Sequence, residues 1–128
     1  MTFRGIEVLS FDKGGILPDA DNIVMVPYIL SDQPPPEWKK CFESRAPPEA
    51  AAQIVANQAR YRCPKNNVAI ERDGDCWKKV AALVAQANEY YREIDAQLER
   101  EQAKKRQEQL QKEKEQREFE EWRRTLRQ

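Results

Sequence analysis

Residues 76–98, CWKKVAALVAQANEYYREIDAQL, run without a break into residues 99–128, EREQAKKRQEQLQKEKEQREFEEWRRTLRQ, and the fold turns on how these stretches differ. In the first, Trp77, Val80, Leu83, Val84, Ala87, Tyr90, Tyr91, Ile94 and Leu98 recur at threes and fours. That is an apolar stripe wide enough to lie on a sheet. In the second the stripe stops, and Leu110 is the only large apolar residue between Glu99 and Glu118. No Gly or Pro interrupts residues 89–128, which carry 22 charges, 11 of each sign. A segment of that composition buries almost nothing, so it must project, bridge or pair.

The expectation is one long helix that starts inside a small domain, residues 1–98, and continues as a charged extension, residues 99–128. From Asp75 to Leu126 such a helix would be roughly 75 Å long. Acid-first pairs at i, i+4, namely Glu101–Lys105, Glu108–Lys112 and Glu113–Arg117, support it by about 0.2–0.5 kcal/mol each. Disorder is the competing reading of residues 99–118. The absence of any breaker favours a helix continuous with the packed part. No apolar heptad persists there, so a strong two-stranded coiled coil is not expected.

Apolar character returns in Phe119, Trp122 and Leu126, at i, i+3 and i+7, the spacing of anchors that enter a hydrophobic groove. Arg123, Arg124 and Arg127 beside them suit the negative end of a helix dipole. A tail that folds back, or pairs with its own copy to hide these rings, would show the same residues.

Upstream, Phe3–Phe11 suits a first strand, and Asp12-Lys13-Gly14-Gly15 and Pro18–Asn22 supply turn residues. Ile23–Leu30 is the most apolar run and reads as a strand buried on both faces, with a distortion expected at Pro27. Pro34-Pro35-Pro36 can open a helix, on which Trp38, Cys41 and Phe42 share a face up to about Ser44. Residues 50–58 are ambiguous between helix and strand. A strand over Gln53–Cys63 is preferred, with Pro64–Asn67 turning into a returning strand at Val68-Ala69-Ile70. Asp73-Gly74-Asp75 offers a carboxylate cap for the long helix. The expected class is therefore α+β: a small antiparallel sheet of about four strands in the order ββαββα, one short helix and one long C-terminal helix. Trp38 and Trp77 read as core anchors.

The chain has 128 residues and no net charge, with 22 basic and 22 acidic side chains. Phosphate binding normally draws on a basic surplus, so nucleic acid is a weak expectation. The best local candidates are Tyr90-Tyr91 with Arg92 and Arg60-Tyr61-Arg62 near Lys65, where rings beside guanidinium groups could stack bases. The chain has no histidine and three widely spaced cysteines, Cys41, Cys63 and Cys76, with no CxxC pair. Three reduced, partly buried thiols in a cytoplasmic protein, with no metal and no cofactor, follow. Ser10, Ser31 and Ser44 lack a base to activate them, and the acidic pairs Asp19/Asp21 and Asp73/Asp75 read as turn residues. Neither a signal peptide nor a membrane span is expected.

The leading expectation is a non-catalytic adaptor that binds a protein partner, or itself, through its C-terminal helix. The alternative is a nucleic-acid accessory protein using residues 60–65. A homodimer is a further expectation, because a run buried on both faces needs cover on each side.

Overall fold

In the computed structural model, which describes residues 3–126, the first strands are β1 (Val8–Phe11), β2 (Leu17–Ala20) and β3 (Ile23–Leu30). Both β1 and β2 pair antiparallel with one edge of β3, β1 opposite Tyr28–Leu30 and β2 opposite Ile23–Met25. After the helix α1 (Pro36–Arg45) come β4 (Gln53–Val55) and β5 (Gln58–Pro64). β5 takes the other edge of β3, and the sheet of five strands runs β1-β3-β5-β4 with β2 beside β3. A helical turn, α2 (Asn67–Ile70), precedes the long helix α3 (Asp75–Thr125). The class is the expected one, although the order is βββαββαα: Pro18, Asp19 and Ala20, expected in a turn, belong to β2 and pair with β3.

Alternation places the core. Val24, Val26, Tyr28 and Leu30 are buried, whereas Ile23, Met25 and Ile29 are half-buried. Burial on both faces is therefore only partial. The buried set meets Trp38, Phe42, Trp77 and Val80 in one core, so both tryptophans are anchors as expected. The distortion expected at Pro27 lies elsewhere: β3 and β5 stay in register through the Pro27–Arg60 pair. The shifts fall between Val8 and Ser10, and between Pro18 and Ala20. The Pro27 carbonyl accepts from the Asp12 N–H at 2.9 Å. A strand residue points its N and C=O to the same side, so the missing donor faces the junction where β2 gives way to β1. No β5 ladder bond is lost.

On α1, Trp38, Cys41 and Phe42 are the buried face, with the Trp38 and Phe42 rings stacked at 5.6 Å. The single strand expected over Gln53–Cys63 is instead the hairpin β4–β5. Its two-residue turn, Ala56-Asn57, puts Ala56 at φ 52°, a region non-glycine residues rarely adopt. The returning strand expected at Val68-Ala69-Ile70 is the turn α2, capped by Asn66, whose Oδ1 accepts from the Val68 N–H at 3.0 Å. The cap of α3 also differs. Gly74 holds that place, its carbonyl accepting from the Lys78 N–H at 2.9 Å, and a Cβ there would lie 2.1 Å from the Val68 carbonyl oxygen.

The cysteines depart most from expectation. Cys63 and Cys76 form a disulfide that ties the end of β5 to the start of α3, leaving buried Cys41 as the free thiol. Spacing could not reveal this pair, because the partners meet only through the fold.

The chain divides into two units, Met1–Arg92 and Glu93–Gln128. Within the first, Asn88 interrupts the apolar stripe of α3 for a reason. Its Oδ1 accepts from the Ile6 N–H (3.0 Å) and from Trp38 Nε1–H (2.8 Å), while its Nδ2 donates to the Ile6 carbonyl (2.8 Å). One buried amide thus fastens the N-terminal segment and α1 to α3. Phe3 packs on Tyr91 at 4.6 Å, and the Arg45 guanidinium lies 5.8 Å from the Tyr90 ring centre.

The second unit is helical through Thr125, so disorder does not describe residues 99–118. From Gln97 to Leu126 every residue but Glu120 is exposed. The three acid-first pairs expected on this helix do not close. Among the described residues the ion pairs are Lys40–Glu37 and Arg62–Asp19. Helix propensity of its Glu, Gln, Lys, Arg and Ala residues remains as the local support.

Candidate functional site

Phe119 and Trp122, three residues apart, stand on one side of α3 with ring centres 5.7 Å apart, tilted by 38°. Leu126 follows just past the helix end, its N–H donating to the Arg123 carbonyl at 3.3 Å. Thr125 Oγ1 donates to the Trp122 carbonyl at 2.6 Å, one of the last-turn carbonyls that the helix leaves free. Exposure is 56 % for Phe119, 55 % for Trp122 and 56 % for Leu126. Phe119 and Trp122 are therefore neighbouring exposed rings, Leu126 is exposed just beyond them in sequence, and Arg123 next to Trp122 is exposed. Arg127 lies outside the described residues.

The second candidate set is not brought together. Along β5 the burial alternates, so Tyr61 points into the core at 5 % exposure while Arg60 and Arg62 take the opposite face. Burial first, and then the Glu49 carboxylate, raises the Tyr61 hydroxyl above its ordinary pKa. Arg62 is already engaged. Its Nε forms an ion pair with Asp19 Oδ2 at 2.5 Å, and its Nη1 donates to the Glu49 carbonyl. Lys65 is exposed in the turn beyond β5. A base could not stack on Tyr61 without unpacking the sheet.

Asp12, Ser31 and Ser44 have structural tasks. Asp12 Oδ1 accepts from the Gly14 N–H at 3.2 Å and closes a short turn. Ser31 Oγ accepts from the Glu7 N–H at 2.9 Å, and Ser44 Oγ donates to the Cys41 carbonyl at 3.1 Å. Among the described residues no group of three His, Cys, Asp or Glu side chains is placed to hold a metal ion. Within the same residues no helix is long and apolar enough to cross a membrane. No family model, no curated protein and no solved structure matches the chain.

Proposed function

We propose that this chain is a non-catalytic protein–protein interaction module whose recognition element is the patch Phe119, Trp122 and Leu126, with Arg123 at its border. One observation carries the reading: two aromatic rings held side by side by the helix, each more than half exposed. Burying such side chains against a partner contributes about 1.5–3 kcal/mol apiece. Tryptophan and arginine are also the residue types that dominate binding hot spots.

The nucleic-acid alternative has less support, since its aromatic member is interior and one of its arginines is engaged within the chain. The Cys63–Cys76 bond favours an oxidising compartment over the reducing cytoplasm expected from the sequence. The test uses the full chain as bait beside the double variant F119A/W122A, with captured proteins identified after cross-linking. The variant should lose the captured set. Capture unchanged by the two substitutions would overturn the reading.

A further inference from the structure

At heptad spacing, α3 carries a single stripe through both of its apolar groups. Tyr91, Ile94 and Leu98 fall in the order a, d, a, and Phe119, Trp122 and Leu126 fall in the same phase four heptads later. Between them the stripe continues as Glu101, Lys105, Glu108, Lys112 and Glu115, with the acids at d and the lysines at a. The flanking positions of this middle part are largely neutral, among them Gln97, Gln102, Gln109, Gln111 and Gln116. Among the described residues, none of the stripe's charges between residues 101 and 115 is closed into an ion pair.

Resting on the reading of this helix as an interaction surface, we infer that its occupant is a second copy of this chain, lying antiparallel. In an antiparallel pair each a position faces a d position, and two-fold symmetry makes every contact occur twice. With Lys105 set against Glu108 of the second copy, Glu101 meets Lys112, and acid faces base throughout the centre. The same register sets Ile94 against Phe119 and brings Trp122 to the level of Tyr91, whose ring is half-buried on Phe3. The apolar end of each helix therefore meets the apolar end of the other. Leu98 against Glu115 is a mismatched layer, and Leu126 falls opposite Ala87, which lies inside the fold and takes no contact. A parallel, in-register pair would instead set like on like at all of Glu101, Lys105, Glu108, Lys112 and Glu115. Charge thus selects the orientation, while the apolar ends supply the attraction. A stripe so polar in its middle gives a modest, concentration-dependent dimer, in keeping with the absence of an apolar heptad.

Sedimentation equilibrium on the full chain should show a monomer–dimer equilibrium. E101K/E108K puts lysine against lysine at these layers and should weaken it about tenfold or more, whereas Glu115→Leu removes the mismatch and should strengthen it about tenfold. All three positions are exposed, so the fold is not at stake, and helicity by circular dichroism verifies that. A spin label at Gln97→Cys reports the orientation. Antiparallel packing puts the two labels about 30 Å apart, and parallel packing about 10 Å. A chain that stays monomeric, or a short label distance, overturns the inference. Capture of other proteins that depends on Phe119 and Trp122 would survive that outcome, and loss of such capture would leave the dimer untouched.

Discussion

Residues 1–92 and 93–128 are each electrically balanced, yet they reach regular structure by opposite means. In the first unit the apolar residues follow the period of each element and converge on one core. Its short strands and ten-residue α1 owe their form to that packing. In the second unit the helix persists with almost every side chain in water, so its form comes from local propensity. The lesson is that a substitution should be felt in the first unit through contacts, and hardly at all in the second.

The sharpest way to break this contrast is at Asn88. Asn88→Ala strips partners from the Ile6 N–H, the Ile6 carbonyl and Trp38 Nε1–H together. Leaving buried polar groups unpaired should cost about 3–5 kcal/mol, read as a fall in the urea midpoint of tryptophan fluorescence. Gln109→Ala, on the exposed helix, should stay within about 0.5 kcal/mol. Equal effects at both positions would refute the contrast.

The disulfide comes next. It closes a loop over a sequence separation of 13, and the Cys63→Ala/Cys76→Ala pair should lose about 3 kcal/mol. A reducing agent should lower the midpoint of the parent chain by a similar amount and leave the variant unmoved. Loss of helicity in residues 93–125 under the same reduction would mean that the second unit leans on the first.

A smaller effect is expected at alkaline pH. The Tyr28 hydroxyl, buried and donating to the Ile70 carbonyl at 3.0 Å, has its pKa pushed well above the ordinary 10.0 by desolvation. The folded state therefore keeps a proton that the unfolded chain releases. Stability from this group is complete below the ordinary tyrosine value and is lost as pH rises from there towards the raised one. Thermal melts should show a downward slope above about pH 10 that Tyr28→Phe reduces.

Much of this was legible in the residues. The period of three and four in Trp77–Leu98, the proline-led start of α1 and the β-branched run of β3 each name their own element. The class follows from their order. What stayed hidden depended on long-range geometry or on unusual turn chemistry. The Ala56-Asn57 turn lacks the glycine that announces tight hairpins, so β4 and β5 read as one strand. Asn66 at a helix N-cap and Asn66 in a loop look alike until Val68 is seen to donate to it. The Cys63–Cys76 bond and the three hydrogen bonds of Asn88 join residues whose proximity only the tertiary fold creates. Of the candidate site residues, Phe119 and Trp122 stand side by side as their spacing implies, because a single helix turns spacing into a shared face, whereas Leu126 lies past its end. Arg60, Tyr61 and Arg62 do not stand together, because strand alternation sends neighbours to opposite sides.

The smallest expected effect on stability is the most telling. A Phe or Trp in a core loses about 3–5 kcal/mol on truncation to alanine, because burial is lost and a cavity is left. Phe119 and Trp122 touch each other at 5.7 Å and are otherwise more than half in water, so F119A/W122A forfeits one exposed ring pair and creates no cavity. Its unfolding midpoint should lie within about 0.5 kcal/mol of the parent. The binding assay should meanwhile collapse, so that stability and recognition part company at these two residues. A large loss of stability would mean that the rings hold the fold together, and the proposed interaction surface would then have no apolar contact to offer.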